Sequence, residues 1–298
     1  MSNALYGTVE AGGTKFVCEV ADGAGATLAT VRIPTTSPAV TLGAVLEFFG
    51  DQEKQHGHFT AFGIAAFGPL DLRRNSPTYG HILKTPKPHW SDTNLRAPLM
   101  QRFGCPVAID TDVNAAALAE ALAGAGRGCN AVVYITVGTG IGGGISIGGR
   151  TVEGAVHPEM GHVRVIRHKS DTHFAGVCPF HGDCLEGLAS GVAIAARYGA
   201  ALDQLPASHE AHELEAYYLG QLATSVILLL SPHRLIFGGG VMQTPGLLPG
   251  IRKTAAQLLN GYAGLGAATA LEELIVEPQL GVRSGIIGAL ALAQRVLG

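Results

Sequence analysis

Three glycine clusters, each at the end of an apolar run, set the terms on which this chain can fold. "VEAGGTKF" occupies 9–16, "TVGTGIGGGI" 136–145 and "IFGGGV" 236–241. The runs before them are rich in Val, Ile, Tyr and Phe, the composition of buried strands. "LYGTVEAGGTKFVCEV" (5–20) therefore reads as strand, glycine turn, strand. "AVVYITVGTGIGGGISIGG" (131–149) repeats that plan about half a chain later. Two such units, one opening each half, imply two related domains facing each other.

Helical stretches fall between the strands. "TDVNAAALAEALAGAG" (111–126) starts with Thr111 or Asp112 as N-cap, continues in alanine-rich helix formers and stops at Gly124 and Gly126. "HELEAYYLGQLATSVILLL" (212–230) and "SGIIGALALAQRVLG" (284–298) also have helical composition. Strands alternating with helices give an α/β architecture. If the last helix packs back on the first half, one domain comprises 1–116 plus 284–298 and the other 117–283.

With 14% charged residues against a usual share of about 25%, and a net charge of -3, the chain has no basic footprint for nucleic acid or an anionic membrane. Small molecules are the expected partners. No segment reads as a signal peptide. No apolar run reaches the ~20 residues that span a bilayer, since "LATSVILLL" soon meets Ser231-Pro232. Five cysteines, three of them (Cys18, Cys105, Cys129) far apart, argue against a disulfide framework and for a reducing cytoplasm.

Gly138, Gly140 and Gly143 literally fit GxGxxG, with Glu159 further on. That fingerprint demands a helix directly after the glycines, whereas "GISIGGR" (144–150) reads as a returning strand. The Walker pattern GxxxxGK[ST] is absent. What remains is a pair of hairpins whose exposed N–H groups can cradle an anion, because glycine lets backbone approach phosphate closely. Gly12 and Gly13 in one, and Gly138 and Gly140 in the other, are placed to grip the β- and γ-phosphates of ATP. Thr14, Lys15 and Thr139 add hydroxyl and ammonium contacts, and Gly238, Gly239 and Gly240 admit the adenine face. Plain tight β-turns are the simpler reading of any one cluster; three clusters with threonines favour phosphate.

Phosphoryl transfer to an alcohol needs a carboxylate to take the hydroxyl proton. In "AIDTDVNAAALAE" (108–120) an apolar run ends at Asp110 and a helix begins near Asp112. There the macrodipole favours the anion, although an N-cap role would explain Asp112 equally well.

"CPFHGDC" (178–184) holds Cys178, His181 and Cys184 at metal-ligand spacing. A tetrahedral Zn2+ needs a fourth ligand, with His162 first and His157, His168 and His173 as alternatives. Four protein ligands would make the site structural. It would brace the loop carrying Glu159, His162 and Glu186, and the second nitrogen of His162 would stay fixed as a donor. A directed donor and two carboxylates suit the hydroxyls of a sugar.

These residues together resemble the ROK family of sugar kinases and repressors, in the actin–hexokinase–Hsp70 superfamily, over essentially the whole chain. "VEAGGTK" and "YITVGTGIGGGI" resemble its two phosphate hairpins, and "DTDVNAAALAE" the segment with its catalytic aspartate, on Asp112. "HPEMGH" (157–162) resembles its sugar-binding segment, so Glu159 and His162 inherit that role. "CPFHGDCLE" resembles its zinc motif and, through Glu186, a third sugar contact. The resemblance implies two ribonuclease-H-like domains with a cleft between them, hinged near 113–118 and 280–285, and a homodimer. "LKTPKPHW" (83–90) and Asp-Thr-Asp resemble the fructokinase branch. Thr111 stands where an asparagine often binds sugar, and His181 departs from the commoner C-x-C-G; both point away from glucose. The implied activity is phosphorylation of D-fructose at its 6-hydroxyl by ATP with Mg2+. Glucose, mannose or an N-acetylhexosamine as substrate, or a silent sugar sensor, are the rivals. With the first hairpin so near Met1, no room is expected for an N-terminal DNA-binding domain.

Overall fold

The computed structural model describes residues 4–264 and 268–297. In chain order its strands are β1 (Leu5–Ala11), β2 (Lys15–Asp22), β3 (Thr27–Pro34), β4 (Ala61–Ala66), β5 (Val107–Thr111), β6 (Ala131–Val137), β7 (Ile141–Ile147), β8 (Arg150–Thr151), β9 (Arg234–Gly238) and β10 (Ile275–Val276). The helices are α1 (Pro38–His56), α2 (Ala97–Phe103), α3 (Asp112–Ala123), α4 (Leu185–Ala189), α5 (Gly191–Tyr198), α6 (Glu210–Leu230), α7 (Leu247–Leu259), α8 (Ala268–Leu274) and α9 (Ser284–Arg295). Two compact units result: Met1–Ala119 with Thr151–His157 and Arg283–Gly298, and Glu120–Arg150 with Pro158–Val282.

The first unit is built on a sheet of order β3-β2-β1-β4-β5. β1 to β3 form an antiparallel meander, while β4 and β5 run parallel to β1. In β1 every residue but Glu10 is buried, the near-continuous apolar run of a strand covered on both faces. Helix α9 lies against β1 and β4, where Ala65, Ala115 and Ala289 leave room for close approach. Elsewhere in the core, the Phe49 ring meets that of Phe62 edge-on at 4.9 Å, and fully buried Trp90 packs on Phe16 at 5.4 Å. Residues 151–157, which the sequence reading keeps with the second half, group here for a visible reason. Thr151 hydrogen-bonds the Asp110 carboxyl, and buried His157 accepts the Leu70 N–H on Nε2 at 3.0 Å.

The second unit repeats the plan with a sheet of order β10-β9-β6-β7-β8. β6 and β7 form the antiparallel hairpin, and β9 runs parallel to β6 as β4 does to β1. Both units thus follow one mixed-sheet plan, as the paired glycine hairpins imply for related domains and as the ROK resemblance implies for ribonuclease-H-like ones. Gly142, Gly143 and Gly144 lie inside β7, so no helix follows the turn and the dinucleotide reading falls. Helix α6 covers the long apolar stretch and ends as its sequence predicts, at Ser231 with φ 44° ahead of Pro232.

Candidate functional site

In the first unit, the β1–β2 turn exposes Gly13, Thr14 and Lys15. Its carbonyls are engaged from behind: Thr35 Oγ1 donates to Gly12 O at 2.8 Å, and Lys87 Nζ donates to Gly13 O. Thr35 N also donates to Thr14 O at 3.0 Å. A turn held by its oxygens can offer its N–H groups to an anion.

The carboxylates of 108–114 separate into two kinds. Asp110 is buried at the end of β5, where its Oδ1 accepts from Thr111 N and from Asn114 Nδ2, each at 2.8 Å. Burial raises its pKa, while those hydrogen bonds and His157 oppose the rise. Asp112 is half-buried at the first turn of α3, with Oδ1 accepting from Val113 N at 2.9 Å. The capping hydroxyl belongs to Thr111, whose Oγ1 accepts from Asn114 N at 3.1 Å. Of the two cap candidates it is therefore Thr111 that closes the helix start, and Asp112 is not needed for that task. Thr111 is 3% exposed, and its hydroxyl is already engaged by Asn114 N.

Glu10 joins this group, and the sequence reading passed it over. Its carboxyl is pushed up to about 7, chiefly by burial, then by the negative charges of Asp112 and Glu19, with Lys15 opposing. The signal was present: one carboxylate near the end of an otherwise uncharged strand, just before the glycine turn.

In the second unit, the β6–β7 turn is closed by Gly138 N donating to Gly140 O at 2.9 Å. Gly191 N, at the start of α5, donates to Gly138 O at 2.7 Å. The third glycine cluster adjoins this turn. Gly239 has φ 97°, and a Cβ there would fall 2.3 Å from Val137 O. Such a position admits only glycine. Two features expected to meet the nucleotide, Gly138–Gly140 with Thr139 and Gly238–Gly240, are thus brought together within one unit, beside the start of α5.

Glu186, in the first turn of α4, accepts from Ile141 N on Oε2 at 2.9 Å. It therefore ties the phosphate-type turn to the cysteine loop. Although Glu159 is exposed at the surface, partial desolvation raises its pKa, with His162 opposing and the Glu186 charge adding to the rise. Its Oε2 lies 3.9 Å from His162 Nε2.

His162, Cys178, His181 and Cys184 converge, their ligand atoms all within 4.8 Å of one another. Nδ1 of His162 is 3.7 Å from Cys178 Sγ and 3.5 Å from Cys184 Sγ, and His181 Nδ1 is 3.7 Å from Cys178 Sγ. A tetrahedral Zn2+ with bonds of about 2.3 Å to sulfur and about 2.05 Å to nitrogen sets S···N near 3.6 Å. The donor set and its spacing fit that ion. Among the alternatives, His157 is committed to Leu70, and His168 Nδ1 meets Ser170 Oγ at 2.7 Å. Around the tetrad, Cys178 and Gly182 exchange backbone hydrogen bonds of 3.1 and 2.9 Å, Leu185 N donates to Val163 O at 3.0 Å, and Arg164 pairs with Asp183.

Comparison with known proteins agrees with these features. The ROK family model matches residues 6–296. A fructokinase of Zymomonas mobilis is 48% identical over 97% of this chain and 96% of its own length. A putative fructokinase of Bacillus subtilis is 42% identical over 98% and 96%. Among solved structures, a ROK family glucokinase from Streptomyces griseus in complex with glucose and AMPPNP superposes with TM-score 0.75 at 28% identity, covering 98% of this chain and 100% of that one.

Proposed function

Because this chain belongs to the ROK family, we propose that it transfers the terminal phosphoryl group of ATP to the 6-hydroxyl of D-fructose. The observation that carries the substrate is the pair of fructokinase relatives at 48% and 42% identity, each matched over nearly its full length. The geometry supports the same chemistry: an acidic pair beside a directed imidazole for hydroxyls, and glycine turns for phosphates.

In the reaction the Asp112 carboxylate takes the proton of the 6-hydroxyl. The sugar oxygen forms its bond to the γ-phosphorus as the bond to the β-γ bridging oxygen breaks, and ADP leaves with that electron pair. A base must be ionised to act, and the α3 N-terminus favours the Asp112 anion. Glu159 and Glu186 accept from sugar hydroxyls and His162 Nε2–H donates, while Thr111 is the further residue assigned to the sugar. Gly12, Gly13, Thr14, Lys15, Gly138, Thr139 and Gly140 hold the polyphosphate, and Gly238–Gly240 the adenine. Mg2+, held by nucleotide phosphates with one or two carboxylates, would supply positive charge to the transferred group; Glu10 and Asp112, which feel each other's charge, are the candidate carboxylates. Zn2+ on His162, Cys178, His181 and Cys184 would hold the sugar-binding loop in one shape. No helix among the described residues is long and apolar enough to cross a membrane. A cytoplasmic homodimer is the working assembly.

The deciding experiment is ATP turnover with Mg2+ across fructose, glucose, mannose and N-acetylhexosamines. Fructose should give the highest kcat/KM. Glucose outpacing it several-fold would move the chain to the glucokinase side of the family, and no turnover of any hexose would make it a sugar sensor.

A further inference from the structure

We propose that Lys87 is a positioning residue of the first phosphate turn, governing affinity for the nucleotide polyphosphate and not for the sugar; this deepens the kinase reading above and rests on it. The ammonium donates to the carbonyl of Gly13. Residues 83–93 contain neither helix nor extended strand, yet their ends are anchored. Trp90, fully buried, donates Nε1 to Thr36 O at 2.7 Å, and packs on Phe67 at 5.8 Å as well as on Phe16. Buried Ile82 donates its N–H to Thr93 O at 2.9 Å. Between them, Lys87 N donates to Thr85 Oγ1 at 3.3 Å. The loop therefore delivers the ammonium to the turn from a fixed base.

What it does there follows from peptide geometry. In a planar trans peptide the C=O and the next N–H point opposite ways. With Gly13 O held by Lys87, the Gly13–Thr14 peptide is oriented and its Thr14 N–H faces away from the ammonium, just as the Gly13 N–H faces away from Thr35, which holds Gly12 O. An ammonium on the carbonyl also polarises the peptide, making that N–H a stronger donor. Nothing lies within 4 Å of where a Cβ on Gly13 would stand, so the turn is open to an incoming anion.

The test uses the full chain with Lys87→Met, Lys87→Arg and, as a control on the same loop, Lys84→Met. Steady-state KM for Mg-ATP and for fructose is measured beside equilibrium binding of tripolyphosphate and of adenosine. Losing a charged hydrogen bond should raise KM for ATP and the tripolyphosphate Kd about ten-fold. KM for fructose and the adenosine Kd should stay within about two-fold, Lys87→Arg should recover most of the loss, and Lys84→Met should match wild type. Unchanged phosphate affinity, or ATP and fructose KM rising together, overturns the proposal. If wild type phosphorylates no hexose the kinase reading falls, while tripolyphosphate binding still decides Lys87. Should Lys87→Met not fold, Lys87→Gln carries the same comparison.

Discussion

Nε2 of His162 lies 3.9 Å from Oε2 of Glu159, while Nδ1 of the same ring faces the sulfurs of Cys178 and Cys184. One imidazole thus joins the metal-ligand set to a sugar-type carboxylate. A ring bound through Nδ1 would carry its proton on Nε2, toward Glu159, the carboxylate proposed to meet the sugar. Cys184→Ser should therefore lose bound zinc and raise KM for fructose about ten-fold, leaving KM for ATP near wild type. Elemental analysis with steady-state kinetics checks this, and undiminished zinc would refute the tetrad.

Asp112 is relieved of capping by Thr111, so its substitution should be read in chemistry and not in stability. Asp112→Asn keeps the shape of the side chain and removes the base. We expect kcat to fall by about 10²–10⁴-fold, the usual range for a general base. Binding of fructose and of a non-hydrolysable ATP analogue, followed by calorimetry, should change little. A near-normal kcat would remove Asp112 as the base.

The parts legible in the sequence are those whose signal is local. β1 with β2 and β6 with β7 could be read from their runs and glycines, and α6 from its composition and its Ser231-Pro232 stop. The tetrad was legible too, because three of its ligands fall within seven residues. Partners set by tertiary packing were not. Nothing near Glu10 in the chain announces that Asp112 will lie close enough to raise its pKa. Nothing in "HPEMGH" says that His157 turns to the Leu70 amide while His162 turns to the cysteines. The cap fell to Thr111 and not Asp112 on a difference of one residue, below what helix signals resolve.

Glu10 gives a pH dependence whose sign can be worked out. Its pKa is raised from an ordinary 4.5 to about 7 in the folded protein. The folded state therefore holds the proton more tightly, and the stability this contributes is full below pH 4.5 and lost as pH rises through about 7. Glu10→Gln cannot lose a proton. Relative to wild type, the apo variant should gain about 2 kcal/mol of unfolding free energy between pH 5 and pH 8, allowing for the solvent that reaches this half-buried group. Urea titrations at the two pH values measure it. A constant difference would show that the carboxyl is charged throughout.

Gly140 and Glu186 provide the sharpest separation of function from folding. A Cβ on Gly140 would fall 2.5 Å from Glu186 Oε2, the movable end of a side chain and not a rigid backbone atom. Gly140 lies outside the left-handed region, so alanine adds no backbone strain there. Gly140→Ala should therefore fold with a loss of no more than about 1 kcal/mol, yet drive Glu186 off the Ile141 N–H that holds it. The displaced carboxylate is the one proposed to meet sugar hydroxyls, and the turn is the one proposed to meet phosphate. KM should rise for fructose and for ATP together, by about ten-fold each, in contrast to the one-sided effect of Cys184→Ser. Steady-state kinetics on both substrates, with a melting curve to confirm the fold, makes the comparison. If only the ATP term moved, Glu186 would be a backbone anchor for the turn and would drop out of the sugar site.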